Sequence, residues 1–127
     1  MSDHKHAATY REVLAAFNSG DAEAFAGVIS DDIVWWAIGA AEPVRGKAAL
    51  MEMMQESMGT WNIQAELHDV VSNDEHLIAL VTAVATHEDG TTLEYRTAEI
   101  HHVDENGKVT ERWAFSDDTA RIVDFFG

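Results

Sequence analysis

The segment HLIALVTAVATHEDGTTLEYRTAEIHHVDENGKVTERWAFS, residues 76–116, contains three runs typical of β-strands and two turn signals between them. Asp89-Gly90 and Asn106-Gly107 are dipeptides that favour tight hairpin turns. The segment therefore predicts three consecutive antiparallel strands, near residues 75–88, 91–104 and 108–116. Because residues opposite each other across a hairpin share one face of the sheet, the turns also predict which side chains lie together.

Both turns are taken as two-residue loops, which fixes the predicted pairs. The second hairpin then places His101 opposite Arg112, Glu99 opposite Ala114, Val103 opposite Thr110, Ile100 opposite Trp113 and Ala98 opposite Phe115. The first hairpin places Tyr95 opposite Val84, Thr97 opposite Thr82, Glu99 opposite Leu80 and His101 opposite Ile78. One face thus mixes aliphatic and polar side chains, as ligand pockets do.

The other predicted face is small and apolar. It would carry Ala79, Val81, Ala83, Ala85, Ala98, Ile100, Trp113 and Phe115. An uncovered apolar sheet face usually contacts another subunit. We therefore expect a homodimer through this face, with Val81, Ala83, Ile100, Trp113 and Phe115 at the contact.

The remaining chain supplies helices to cover the mixed face. Helical spacing predicts a first helix ending near Gly20, a short second helix after Asp21 and a third from about Lys47 to Met58. Residues 33–38 read as a strand, and another alternating strand begins at Trp61. A short helix follows the last strand. The order α-α-β-α-β-β-β-β with a helical tail predicts one α+β domain over residues 1–127, with helices packed on a strongly curved antiparallel sheet.

The composition narrows the classes of partner. Eight Lys and Arg stand against 23 Asp and Glu, which gives a net charge of −15. Such a surface repels phosphate, so we expect neither nucleic acid nor an anionic membrane as a partner. The sequence has no cysteine and no apolar run long enough to span a bilayer. We expect a cytoplasmic location.

No metal or cofactor signature is present. The seven histidines lack ligand spacing, and the side chains of His101 and His102 diverge because neighbouring strand residues point to opposite faces. We expect no metal and no cofactor.

Three stretches carry a resemblance to a known superfamily: AAFNSGDAEAFAGVISDDIVWW (15–36), EPVRGKAAL (42–50) and NGKVTERWAFSDD (106–118). The chain resembles the SnoaL-like and ketosteroid-isomerase-like branch of the nuclear transport factor 2-like superfamily. The resemblance implies a cystatin-like, cone-shaped roll in which three N-terminal helices lie on a strongly curved mixed or antiparallel sheet. It also implies a deep apolar pocket and a dimer formed through the sheet.

The isomerases of this family are matched only in part. Their proton-abstracting aspartate falls at Ala37, and the tyrosine of their oxyanion hole falls at Val13. Their second acid falls at Glu99, which is still a carboxylic acid. The aspartate of the polyketide cyclases falls at Ala114, and the Arg and Asp of the epoxide hydrolases fall near Leu80 and Thr82. The resemblance therefore implies the fold, and none of the three sets of catalytic residues is complete.

The tryptophan pair Trp35-Trp36 must serve two environments, because adjacent strand residues point to opposite faces. The register of the family implies that Trp35 and Ala37 face the pocket and that Trp36 points outward. The substrate-binding residues that we predict are Trp35, Ala37, Thr82, Thr97, Arg112, Ala114, Met54 and Phe17.

Glu99, His101 and Tyr95 are the predicted catalytic residues. Glu99 and His101 are two residues apart on one strand, so their Cα atoms lie roughly 7 Å apart on one face. As acid and base they could support an isomerisation, a cyclisation or a dehydration of a small apolar carbonyl compound, with Tyr95 donating to the enolate oxygen. In the alternative, Arg112 joins Glu99 and His101 in a purely structural network, and the protein is a non-catalytic binder or an accessory dimer.

Overall fold

The computed structural model describes residues 4–126. Within this range the helices are α1 (Lys5–Asn18), α2 (Ala22–Ala26), α3 (Lys47–Met58) and α4 (Thr119–Phe126). The strands are β1 (Ile29–Trp35), β2 (Val44–Arg45), β3 (Trp61–Ser72), β4 (His76–His87), β5 (Thr92–Val103) and β6 (Val109–Ser116). The predicted α+β fold class is confirmed.

Among the described residues, six strands form one sheet in the order β2-β1-β6-β5-β4-β3. The pairing of β1 with β6 is parallel and the other pairings are antiparallel. The first strand begins earlier than predicted, because Ile29 and Ile33 are buried at 2% and 0% exposure although three polar residues separate them. Strand β2, of two residues, was not predicted from the sequence.

The second hairpin has the predicted register over most of its length. His101 lies opposite Arg112, Glu99 opposite Ala114, Ile100 opposite Trp113 and Ala98 opposite Phe115. Near the turn the register shifts, so that Val103 lies opposite Val109 instead of Thr110. Asp104 donates its N–H to the carbonyl of Lys108 at 2.9 Å, so this loop contains three residues, 105–107, instead of two. The bulge that follows shifts the pairing by one residue and so restores the predicted register.

The first hairpin differs from the prediction by one residue. His87 donates its N–H to the carbonyl of Thr91 at 2.8 Å, so the loop between them contains three residues, 88–90, instead of two. Gly90 ends this loop with φ +92°, a conformation that glycine adopts freely. The extra residue shifts every pair along β4, and a shift of one residue turns each side chain to the opposite face.

The faces of β4 are therefore exchanged relative to the prediction. Tyr95 lies opposite Ala83, Thr97 opposite Val81, Glu99 opposite Ala79 and His101 opposite Leu77. Val81 and Ala83 are each 4% exposed, so they belong to the interior and not to the predicted dimer contact. Thr82 lies opposite Arg96 on the outer face of the sheet. The prediction that Thr82 lines the pocket was wrong for the same reason.

The concave face of the sheet is covered by the helices. One buried cluster lies under α1 and comprises Ala7, Val70, Leu77, Ala79, Val81 and Val103. A second lies under α3 and comprises Ile29, Ile33, Leu50 and Val109. A helix of the length and apolar character required to cross a membrane does not occur among residues 4–126.

Helix α4 closes one side of the structure against the loop that follows β1. Ile122 is buried on one face of this helix, and Val123 reaches Gly39 in the loop. Gly39 has φ +77°, and a Cβ atom at this position would overlap Cγ2 of Val123. The loop therefore needs glycine both for its backbone conformation and for its contact with α4.

We predict that Gly39→Ala destabilises the fold more than Gly90→Ala does. Both substitutions place alanine at a positive φ, which costs about 1–2 kcal/mol. Only Gly39→Ala adds a steric overlap, since nothing lies within 4 Å of a Cβ at Gly90. Overpacking adds roughly 1–3 kcal/mol. Urea denaturation of both variants measures the difference, and equal losses of unfolding free energy would contradict the contact between the loop and α4.

Candidate functional site

A cavity of about 400 Å³ lies between the concave face of the sheet and the helices. Its lining is mostly aromatic and aliphatic. Of the residues predicted from the sequence, the lining includes Trp35, Ala37, Met54, Phe17, Thr97, Arg112, Tyr95, Glu99 and His101. Ala114 lies opposite Glu99 on β6 but is not among the lining residues, and Thr82 is on the outer face. A cavity of this size is in the range that binds small organic ligands.

The two tryptophans face different surroundings, as predicted. Trp35 lines the cavity, and its ring meets the edge of Phe25 at a centroid distance of 5.8 Å. Trp36 is not among the lining residues, and its Nε1 donates to Oε2 of Glu111 at 3.4 Å. Trp35 is thus an apolar wall of the cavity.

The polar end of the cavity is centred on the carboxylate of Glu99. The hydroxyl of Tyr10 donates to Oε2 of Glu99 at 3.3 Å. Nε2 of His101 lies 3.2 Å from Oε1 of the same carboxylate. The rings of Tyr10 and His101 meet edge to face at 5.5 Å, so the three groups form a compact cluster. Glu99 and His101 expose only 15% and 7% of their side chains.

Arg112 joins this cluster to the tryptophan pair. Its Nε lies 3.7 Å from Oε1 of Glu99, too far for a hydrogen bond, and this buried Nε has no other acceptor among the described residues. Its Nη1 donates to the carbonyl of Trp36 at 3.0 Å. Its Cζ lies 4.3 Å from the ring centre of Trp35, which is a cation–π geometry. One guanidinium therefore fixes both the carboxylate and the cavity wall.

The ionisation of Glu99 is decided by opposing effects. Burial by itself raises the pKa of this carboxyl group, but the charge of Arg112 and the hydrogen bonds from His101 and Tyr10 together outweigh burial. The pKa of Glu99 falls from 4.5 to about 2. Glu99 is therefore ionised at neutral pH and can accept hydrogen bonds but cannot donate a proton. Burial, followed by the charge of Glu99, raises the pKa of Tyr10, which keeps its hydroxyl protonated.

Tyr10 was predicted only as part of a helix and not as a site residue. It lies three residues before Val13, the position at which the resemblance places the tyrosine of the isomerases. Positions three apart lie on the same helix face, so a search one turn away from Val13 would have found it. Valine occupies the position at which the resemblance places that tyrosine, and the hydroxyl of Tyr10, one turn earlier, donates to the carboxylate of Glu99.

Tyr95 and Thr97 lie farther along the concave face of β5. Both line the cavity, and neither hydroxyl has a hydrogen-bond partner among residues 4–126. Burial raises the pKa of Tyr95, with a smaller opposing effect from Arg112. The ring of Tyr95 contacts the edge of Phe126 in α4 at 6.1 Å. These hydroxyls remain available to a ligand.

The histidines do not form a cluster suited to a metal. Residues 4–126 contain no group of three or more His, Asp or Glu side chains placed to hold one ion. His102 points to the outer face, where its Nδ1 lies 3.3 Å from Oε1 of Glu111. The predicted divergence of His101 and His102 is confirmed.

Comparison with known proteins places these features in a family. Residues 10–112 match the SnoaL-like domain family. The comparison with curated proteins found no match.

Solved structures with the same fold share little sequence with this chain. An NTF2-like protein of unknown function from Burkholderia pseudomallei has a TM-score of 0.82 at 17% identity, covering 98% of this chain and 97% of that one. An LEH-like epoxide hydrolase of M. tuberculosis has a TM-score of 0.78 at 16% identity, and the match covers 95% of this chain and 86% of that one. The Δ5-3-ketosteroid isomerase of Mycobacterium sp. has a TM-score of 0.73 at 23% identity, and the match covers 85% of this chain and 89% of that one.

We predict that Glu99 makes the free energy of unfolding fall as the pH becomes acidic. Its pKa in the folded protein lies below its value of 4.5 in the unfolded chain. The ionised group therefore stabilises the fold above about pH 5, and this contribution is lost as the pH falls toward 2. The loss is roughly 3 kcal/mol.

The matched control is Glu99→Gln, because glutamine has nearly the same shape as glutamate but has no group that titrates. Urea denaturation at pH 7, 5, 4 and 3 should show the wild-type protein losing stability more steeply than the variant. Asp89, whose pKa is also lowered to about 2 by hydrogen bonds from Thr91 and His87, contributes equally to both proteins. Parallel pH profiles would show that Glu99 is not held ionised by its neighbours.

Proposed function

Because the chain belongs to the SnoaL-like domain family, whose fold surrounds the cavity described above, we propose that it is a small cofactor-free enzyme. It transfers a proton on a small apolar carbonyl compound, as an isomerase, a cyclase or a dehydratase does. The observation that carries the proposal is the buried pair of Glu99 and His101 at the polar end of an otherwise apolar cavity.

In this proposal His101 is the base. Glu99 is ionised and accepts a hydrogen bond from Nε2–H of His101, which fixes the tautomer with a lone pair on Nδ1. Nδ1 has no partner among the described residues. Nδ1 takes the proton from the carbon next to the substrate carbonyl, and the C–H electrons form an enolate. The resulting imidazolium is stabilised by the adjacent carboxylate and returns the proton to another carbon or to a leaving group.

The developing enolate oxygen needs a donor close to His101. Tyr10 suits this role, because its hydrogen bond to Glu99 is long at 3.3 Å and its hydroxyl can turn toward a ligand. Tyr95 lies four residues from Glu99 along β5, so the Cα atoms of the two residues are roughly 13 Å apart in an extended strand. We therefore assign the donor role to Tyr10 instead of Tyr95.

A non-catalytic binding protein is the second candidate. Its support is that Tyr10, His101 and Arg112 all contact Glu99, so the four side chains can be read as a structural network. The family position of the proton-abstracting aspartate is Ala37, which lines the cavity without a functional group. The wall formed by Trp35 suits a flat apolar ligand in either case.

We predict that the protein accelerates exchange of carbon-bound protons. A panel of enolisable apolar ketones, enones and β-keto esters is incubated with the protein in D₂O, and mass spectrometry follows deuterium uptake and product formation. His101→Ala should slow the exchange about 100-fold, because it removes the base. Glu99→Gln should slow it less, because His101 remains but loses the partner that fixes its tautomer.

His102→Ala is the matched control, since His102 is the next residue of β5 and points to the outer face. It should retain full exchange activity. If no panel compound exchanges faster than without protein, while the compounds still quench wild-type fluorescence and quench Trp35→Phe less, the second candidate replaces the first. Full activity in His101→Ala would refute His101 as the base.

We also propose that two copies of the chain pair through the outer face of the sheet. Two apolar rows cross β4, β5 and β6 there: Ile78, Ile100 and Trp113 in one, and Leu80, Ala98 and Phe115 in the other. We call these six residues the outer patch. Ile78, Leu80 and Phe115 are 41%, 42% and 59% exposed. At a net charge of −15, an uncharged patch is where two copies approach with least repulsion.

Sedimentation tests this pairing with two substitutions of equal charge. Leu80→Glu should give monomers, because it places a carboxylate within the outer patch, where pairing would bury it. Ala15→Glu, on an exposed position of α1, should leave the dimer intact. A wild-type monomer, or a Leu80→Glu dimer, would exclude this interface.

A further inference from the structure

The concave face of β5 carries four polar side chains in a row, and they divide into two pairs. Glu99 and His101 bind each other, together with Tyr10. The hydroxyls of Tyr95 and Thr97 have no hydrogen-bond partner among residues 4–126, although both residues line the cavity. Thr97 is 9% exposed. The second pair thus has free hydrogen-bonding capacity in a largely enclosed place.

Free hydroxyls in such surroundings favour a ligand with a matching group. Neither hydroxyl is among the fully buried atoms without a partner, so both are open to the cavity. A ligand that covered them without a matching group would leave them unpaired. Thr97 lies opposite Val81 on β4, and Tyr95 lies opposite Ala83, so the adjacent strand supplies only apolar side chains. The ring of Phe126 in α4 lies perpendicular to the ring of Tyr95 at a centroid distance of 6.1 Å. On the other side of Thr97, Ser116 of β6 accepts a hydrogen bond from the N–H of Asp118 and makes none with Thr97. A ligand oxygen can supply the partner that the hydroxyls of Tyr95 and Thr97 lack.

The two pairs are separated along the strand. In an extended strand the Cα atom of Thr97 lies roughly 7 Å from that of Glu99 and roughly 13 Å from that of His101. The same rise places the Cα atoms of Tyr95 and His101 roughly 20 Å apart, so one small functional group cannot reach both ends of the row. The lining of the same cavity includes the apolar side chains of Trp35 and Met54.

We propose that Tyr95 and Thr97 form a second polar subsite, which binds an oxygen at the far end of the ligand. The ligand is then a flat apolar molecule with two oxygen functions at opposite ends, one at His101 and one at this subsite. The proposal rests on the proposed function only in placing the ligand in this cavity, and it requires no turnover.

The chemistry of the subsite selects a neutral oxygen. Tyr95 and Thr97 offer hydroxyl groups, each of which can donate and accept, and the subsite has no cationic side chain of its own. The one guanidinium among the lining residues, Arg112, is already engaged with Glu99 and Trp36. A hydroxyl or a carbonyl fits these partners, whereas a carboxylate or phosphate would lose hydration without a counter-charge.

Equilibrium dialysis with three probes of one shape tests the proposal. The probes are biphenyl, 4-hydroxybiphenyl and 4,4′-dihydroxybiphenyl, which add one oxygen at a time to the same apolar body. The wild-type protein should bind the dihydroxy probe about fivefold more tightly than the monohydroxy probe, the size expected of one net hydrogen bond. In the double variant Tyr95→Phe/Thr97→Val this ratio should fall to about one, with the affinity for biphenyl unchanged or raised.

Thr82→Val is the matched control, because Thr82 is a threonine of the neighbouring strand on the outer face. It should keep the wild-type ratio. The single variants Tyr95→Phe and Thr97→Val should give intermediate ratios, and they serve if the double variant does not fold. Each variant retains shape, so circular dichroism should match the wild-type spectrum.

Equal binding of the two hydroxylated probes by the wild-type protein would overturn the subsite, as would failure of all three probes to bind. A fivefold ratio that survives in the double variant would place the second oxygen elsewhere and also overturn it. Proton transfer is judged separately by deuterium exchange. A protein without exchange activity can still show the predicted ratio, and an active one can lack it.

Discussion

The buried guanidinium of Arg112 is the contact on which the site depends. It lies on β6 and reaches the carboxylate of Glu99 on β5, the ring of Trp35 on β1 and the carbonyl of Trp36 just beyond it. The guanidinium therefore links three neighbouring strands, β1, β6 and β5. Removing either partner of a buried ion pair typically costs several kcal/mol, because the remaining charge is left without compensation. The same contact sets the shape of the cavity wall and the charge of its polar end.

That charge determines which chemistry the site can perform. In a purely apolar pocket the carboxyl group of Glu99 would be neutral and could donate a proton. Arg112, His101 and Tyr10 instead hold it ionised, with a pKa of about 2. In the function that we propose, the carboxylate acts through His101, whose Nε2 lies 3.2 Å from its Oε1. The position at which the resemblance places the aspartate of the isomerases is Ala37, so the fold alone does not identify the reaction.

The two hairpins show how far the sequence could predict the site. The Asn106-Gly107 turn predicts the correct partners for Glu99 and His101, because a bulge in β6 offsets the one extra residue that its loop contains. The loop at Asp89-Gly90 also contains three residues instead of the predicted two, and no bulge offsets the extra residue in the pairing of β4 with β5. Asp-Gly is compatible with both loop lengths, and the choice between them depends on which face of β4 packs under the helices. That single residue exchanged the environments of Val81 and Thr82.

The sequence by itself determined the fold class, most of the strand boundaries and the composition of the concave face of β5, since period-two alternation and turn residues are local properties. It also identified Glu99, His101 and Arg112 as neighbours. Only the tertiary structure decided which face of β4 is buried and that Tyr10 completes the cluster. It alone separated the free hydroxyls of Tyr95 and Thr97 from that cluster. These features depend on contacts between segments distant in the chain, about which local sequence patterns carry no information.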